Sequence, residues 1–221
     1  MTAPAVPPQD GPVPPDARPL IGAVVRLDPT VADDDAGLFA ALDDERVWAA
    51  GYGGGPAGRP ADVVGARRGT VAAEAARAAG PHDLRYRVAY TVRLLADSDL
   101  GAAGTVVGTS SLGDVVLESE RVHLGWTAYG PRWWGTAVNA ECKLLLLGHA
   151  FDDCGFGRVK IQTDAINAQS QAAIRKLGAV PEGVLRRHTR RADGTFRDTV
   201  VFSVLRPEWP AVRDGLRARL R

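Results

Sequence analysis

Trp126-Thr127-Ala128-Tyr129-Gly130-Pro131-Arg132-Trp133-Trp134-Gly135-Thr136-Ala137-Val138-Asn139-Ala140-Glu141-Cys142-Lys143 is the run on which the reading of this 221-residue chain turns. A strand enters a tight turn, and the small residues Gly135, Thr136 and Ala137 open directly onto a long helix. The first backbone N–H groups of such a helix have no intrahelical partner and bind phosphate oxygens well. Many helices begin after a small-residue turn and bind nothing, so a second feature is needed.

That feature is Thr163 to Ala179. Here a strand ends, Asn167 stands at a helix N-cap, Ser170 follows one turn later, and Gly178 closes the helix where a positive φ is wanted. Ordinary capping would account for Asn167 alone. The conjunction of the two runs is more specific than either part.

Working outward, Met1 to Pro19 is proline-repeating (Pro4, Pro7, Pro8, Pro12, Pro14, Pro15) and is expected as a disordered or extended tail, with the folded domain over residues 20–221. Ala23–Leu27 is expected as a strand, Val31–Leu42 as a helix, Gly51–Gly58 as a mobile glycine-rich loop bordering an opening, and Ala61–Ala79 as a helix stopped by Gly80-Pro81. Three strands follow at Arg85–Leu95, Thr105–Leu112 and Arg121–Tyr129, with connections short enough for antiparallel neighbours. Then helix and strand alternate: helix Thr136–Asp153, strand Arg158–Thr163, helix Asn167–Leu177, strands Val184–Thr189 and Thr199–Leu205 about an Asp193-Gly194 turn, and a last helix near Pro207–Leu220. The fold class is α/β (α+β): a mixed, mostly antiparallel twisted sheet with helices on both faces.

Composition narrows the function. A 45% hydrophobic chain of this length suits one domain with a substantial core, and a net charge of +1 offers no long-range field for nucleic acid or an anionic membrane. The basic cluster Arg186–Arg191 is local, so a nucleic-acid partner is not expected. Cys142 and Cys154 have no zinc-type spacing and sit too far apart along one helix to bridge, which fits reduced thiols in the cytoplasm and no metal. The longest apolar stretch in that helix, Leu144–Leu147, is far short of a membrane span.

Together the two runs resemble the GNAT superfamily of acetyltransferases, and within it the RimJ/RimL-like, ribosomal-protein N-terminal acetyltransferase branch. The resemblance spans roughly Gly22 to Pro210 and is sharp from Arg121 to Leu185. It implies a GNAT fold with one splayed parallel strand pair, acetyl-CoA as co-substrate, and a first turn of the pattern Gln/Arg-x-x-Gly-x-Gly/Ala that grips the CoA pyrophosphate. Two registers fit. Arg132, Gly135 and Ala137 match the letters; the preferred register puts Trp134 first, Ala137 at the central Gly and Asn139 at the last position, with Gly135, Thr136 and Val138 between. The resemblance further implies that backbone groups at Thr127 and Tyr129 pair with the pantetheine arm, that Asn167 contacts the same arm, and that Ser170 lies near the CoA sulfur.

The implied reaction is direct attack of a primary amine, on a small molecule or a protein N-terminus, on the thioester carbonyl. The amine must lose a proton. Many GNAT enzymes place a Glu two residues before the glycine matching Gly125; His123 stands there, and an imidazole near its ordinary pKa of ~6.5 is expected as base. Glu120 and Glu118 are reserve candidates. The tyrosine that many relatives use to protonate the thiolate is replaced by Ile174, leaving Ser170 or water. A non-catalytic acyl-CoA-binding module is the alternative, and a homodimer is compatible with the family.

Overall fold

The computed structural model describes residues 11–83 and 86–220. Residues 1–10 of the expected tail and Arg85, the expected start of a strand, lie outside them. Fourteen elements organise the described chain: β1 Leu20–Ile21, β2 Val25–Pro29, α1 Asp35–Leu42, α2 Glu45–Ala49, α3 Val63–Ala78, β3 Arg87–Leu94, β4 Val106–Val116, β5 Arg121–Tyr129, α4 Ala137–Gly148, β6 Arg158–Asp164, α5 Ala168–Leu177, β7 Val180–Arg190, β8 Phe196–Leu205 and α6 Trp209–Ala218. The strands form one sheet in the order β1-β2-β3-β4-β5-β6-β8-β7, antiparallel throughout except for β5 and β6. The expected mixed, mostly antiparallel sheet is therefore the observed one.

Local chemistry explains most element limits. Asp62 accepts from Gly65 N (2.7 Å) to cap α3, Thr136 accepts from Val138 N (3.3 Å) to cap α4, and Asn167 accepts from Ser170 N (2.8 Å) to cap α5. Gly178 ends α5 at φ +102. The helix expected to run to Asp153 is regular only to Gly148, and its last turn, His149–Asp153, widens to i→i+5 bonding. Helix α2 has no counterpart in the sequence reading; five residues held by the Asp44 cap are too few to show a period.

Alternation along β4 shows which face each helix covers. Ser110 meets Lys143 of α4, whereas Thr109 and Ser111 share a pocket with Asp35 of α1 and Thr70 of α3. Adjacent strand residues point to opposite faces, so α4 lies on one side of the sheet and α1 and α3 on the other. β3 is covered on both, with Val88, Tyr90, Thr91 and Val92 fully buried and Ala89 nearly so. The α4 layer is completed by α6, where Trp209 stacks on Phe151 with centroids 5.6 Å apart.

One expectation narrows and another changes. Val13 to Asp16, expected within a disordered or extended tail, is bonded to the body: Val13 N donates to Cys154 O (2.9 Å), and the hydroxyls of Tyr86 and Tyr90 donate to Pro15 O (2.6 Å) and Asp16 O (3.1 Å). Buried tyrosine hydroxyls need acceptors, and the extended backbone supplies them. The loop Gly51–Gly58 forms two 3-10 turns tied to the body: Asn167 Nδ2 donates to Ala50 O (2.6 Å) just before it, Ala192 N to Gly54 O (3.2 Å), and Arg59 bonds Asp43 (2.6 Å) just after it.

Glu141 is a further anchor. Buried on α4, its carboxylate accepts from the backbone N–H of Ala23 (2.8 Å), Val24 (2.6 Å) and Val25 (2.7 Å), fastening the β1–β2 turn to the helix. Gly22 permits this approach, because a Cβ there would collide with the carboxylate.

Candidate active site

β5 and β6 pair only at Arg121/Arg158, Val122/Val159 and His123/Lys160. Beyond His123 the two strands separate, so on its β6 side the backbone from Leu124 to Tyr129 has no strand partner. On its other side β5 carries a bulge opposite β4: Ser111 pairs with Gly125 and Thr109 with Ala128, leaving Trp126 and Thr127 against the single Ser110. Trp126 occupies φ +49, the strained left-handed position such an insertion imposes. The extra residue lets His123, Gly125 and Trp126 all serve the α1/α3 side while Thr127 serves the α4 side.

The opening between the strands is the mouth of a cavity of about 890 Å³. His123, Thr127, Tyr129, Trp134, Gly135, Asn139, Asn167 and Ser170 all line it, and this is where the structure brings most of the expected site residues together. Thr136, Ala137 and Val138 form the adjoining helix start; Val138 turns its side chain into the core, so only its backbone is at issue, and its N–H is already held by Thr136. Gly135 has φ +76, and a Cβ on it would meet nothing, so the glycine is there for its backbone conformation and leaves open space beside the helix terminus.

The two motif registers differ in which of their residues reach the cavity. Trp134 and Asn139 line it, whereas Arg132 is exposed with its guanidinium 5.9 Å from the Trp133 ring. Trp134 Nε1 donates to Tyr129 O (2.7 Å), so that carbonyl is taken. Glu120 and Glu118 are not brought to the site. Both are exposed in the turn before β5, where Glu120 sits at φ +48 and its carbonyl accepts from Gly157 and Arg158, at the end of the strand where β5 and β6 are still paired.

His123 is in place but differs chemically from expectation. Its ring is buried, lies 4.8 Å from the Trp126 ring, and leaves Nε2 without a hydrogen-bond partner. A Cβ at residue 125 would come within 2.5 Å of that nitrogen, which accounts for Gly125. Burial, with the Lys160 ammonium next, pushes the His123 pKa down to about 3, with Asp114 opposing. At neutral pH it is an uncharged imidazole, not a base titrating near 6.5.

Lys143 was missed. Its ammonium, buried on the α4 side, donates to Thr127 Oγ1 (2.6 Å) and Ser110 Oγ (3.2 Å), and no carboxylate pairs with it among the described residues. Burial pushes its pKa down to about 8. The signal available was a lone charge inside the otherwise apolar run Cys142–Leu147, one helical turn after Asn139. Asp164, the carboxylate among the cavity's lining residues, is gripped by Arg191 at 2.8 and 3.0 Å.

Comparison with known proteins places this geometry. The family model described as Acetyltransferase (GNAT) domain matches residues 25–180. No curated relative matches by sequence. Among solved structures, an acetyltransferase from T. thermophilus is 33% identical with a TM-score of 0.73, covering 92% of this chain and 97% of its own. A GCN5-related N-acetyltransferase from Brucella melitensis is 25% identical with a TM-score of 0.80, covering 96% of this chain and 89% of its own. Mycobacterium smegmatis RimJ in complex with CoA-disulfide, at 20% identity and a TM-score of 0.72 over 94% of this chain and 96% of its own, shares the fold. The wedge between β5 and β6, the cavity behind it and the matched domain agree, and the chain belongs to the GNAT acetyltransferase family.

Proposed function

We propose that this chain transfers the acetyl group of acetyl-CoA to a primary amine, on a small molecule or a protein N-terminus as in the RimJ/RimL-like branch. The observation that carries the reading is the β6-facing edge of Leu124–Ala128, which has no strand partner on that side and borders a cavity large enough for a pantetheine arm. The residues fit the co-substrate: free strand backbone for its amides, the Gly135–Asn139 helix start for its pyrophosphate, and Asn167 and Ser170 across the wedge. Acetyl-CoA supplies the thioester; the amine nitrogen forms the new bond to the carbonyl carbon, the C–S bond breaks, and the amine's proton ends on the thiolate or on water.

The protein's part is mainly positional. Backbone N–H groups of the bulged strand stabilise charge developing on the carbonyl oxygen. His123 Nε2, neutral and unpartnered, accepts a hydrogen bond from the incoming amine and orients it. Lys143 holds the Thr127 hydroxyl beneath the bulge. An amine that arrives as its neutral fraction needs no base in the histidine range. The depressed His123 pKa also favours a second reading, a binding module without turnover. Thiol release from acetyl-CoA across a panel of amines and N-terminal peptides separates the two: release with at least one acceptor supports transfer, whereas cofactor binding with no release from any supports the binding module.

A further inference from the structure

Beside the main cavity, behind the Trp126 ring, lies a second pocket of about 190 Å³. Trp48, Tyr52 and Trp126 line both, so the two adjoin through an aromatic wall. We propose that this pocket is an acceptor subsite in which Arg87 binds a carboxylate carried by the amine substrate; this rests on the acetyl-transfer reading above.

Arg87 pairs with Gly113, and Gly113 pairs with His123, so all three occupy one row on the α1/α3 face of the sheet. Gly113 leaves room: a Cβ there would press within 3.1 Å of the Arg87 stem. The Trp126 ring stands between the other two, with the Arg87 guanidinium 5.0 Å from its centroid on one hand and the His123 ring 4.8 Å away on the other. A group held at Arg87 therefore sits one indole away from the imidazole proposed to orient the amine.

Among the described residues, the charges within the pocket leave one cation open. Two carboxylates line it, and both are engaged: Asp35 with the Thr70 hydroxyl and, at 3.7 Å, Arg67; Asp43 with Arg59 at 2.6 and 3.0 Å. Arg87 has no ionic partner among the described residues, and its contact is the Trp126 face. Burial lowers its pKa from the ordinary value, with only Tyr52 opposing. A partly desolvated guanidinium whose planar fork is unsatisfied is a receptor for a carboxylate, which it can bind bidentately. The volume lies below that of a drug-sized site, so it suits a carboxylate on a short stem, from a free amino acid or from an acidic side chain near a peptide N-terminus.

The test uses matched acceptors, amino acids against their carboxamides and peptides beginning with Glu or Asp against Gln or Asn, measured by thiol release with wild type, Arg87→Gln and Arg87→Lys. Wild type is expected to favour the charged member by at least tenfold in kcat/KM, in the amino-acid or the peptide series according to which source fits. Arg87→Gln brings the ratio to about one, chiefly by raising KM of the charged acceptor, and Arg87→Lys restores part of it. Equal use of both members by wild type overturns the proposal and leaves acetyl transfer standing. If no amine is acetylated, transfer itself fails, and calorimetric binding of N-acetylated amino acids and their carboxamides decides Arg87: binding of the free acids that Arg87→Gln abolishes supports the subsite, and no binding to wild type overturns it.

Discussion

Asn167 makes two hydrogen bonds that pull in different directions along the chain, and separating them tests how the site is assembled. Its Oδ1 caps α5 at Ser170 N (2.8 Å), and its Nδ2 ties Ala50 O (2.6 Å) at the entrance to the Gly51–Gly58 turns. Loss of the cap costs about 1 kcal/mol, and loss of a half-buried neutral hydrogen bond about 1 kcal/mol more. Asn167→Ala should therefore destabilise the protein by ~2 kcal/mol, a fall of roughly 4–8 °C in Tm for a domain of this size. Asn167→Asp keeps the cap but sets a carboxylate oxygen against the Ala50 carbonyl, so its loss should fall on the tie, at about 1 kcal/mol or more. Thermal melts without ligand give the stability change, and calorimetric titration gives acetyl-CoA affinity. Both variants should weaken binding, because both release a wall of the cavity. An Asn167→Asp protein that melts and binds like wild type would refute the idea that the tie to Ala50 shapes the site.

Three further outcomes follow from buried groups. Glu141→Gln replaces a carboxylate that accepts three backbone N–H groups with an amide that can accept through one oxygen. At ~1.5–3 kcal/mol for a hydrogen bond to a charged group, a loss of about 3 kcal/mol or more is expected, and a heat melt within ~2 °C of wild type would contradict it. Lys143→Met removes a buried ammonium whose folded pKa, about 8, lies below its ordinary 10.5. The unfolded chain then binds more protons between those values, so wild type gains stability as pH rises from about 8 to 10.5. The variant should be the more stable at pH 7 and lose that advantage across this window; a pH-independent difference would contradict the burial argument. His123→Ala should lower turnover by about tenfold, the loss of one orienting hydrogen bond. The shape of the pH profile between 6 and 7 should stay the same, since the folded pKa of His123 is about 3; disappearance of an ionisation near 6.5 would restore the base role.

Several features were legible because their causes are local. Asn167 and Gly178 bracket α5 by capping chemistry, and Gly135 opens α4 through its positive φ. The strands from Arg87 to Tyr129 follow from their apolar patterning and short connections. What stayed hidden depends on partners distant in sequence. His123 reads as an ordinary imidazole until the bulge folds Trp126 against it and β6 brings Lys160 alongside. Lys143 reads as one charge in an apolar helix until Ser110 and Thr127 close on it from two strands. Arg87 needs the row through Gly113 to reach Trp126. Pro15 and Asp16 read as tail because nothing nearby reveals the tyrosine hydroxyls on β3 and just before it that their carbonyls serve.

If acetyl-CoA lies in the wedge where β5 leaves β6, amide hydrogen exchange measured with and without the cofactor shows it. Unpaired strand amides exchange readily, and a bound arm that accepts from them slows exchange. Cofactor-dependent protection is expected in the β6-facing amides of Leu124–Tyr129 and at the Gly135–Asn139 helix start, with β2 and β3 unchanged. Binding of acetyl-CoA that protects some other region and leaves those two stretches exchanging as before would contradict it.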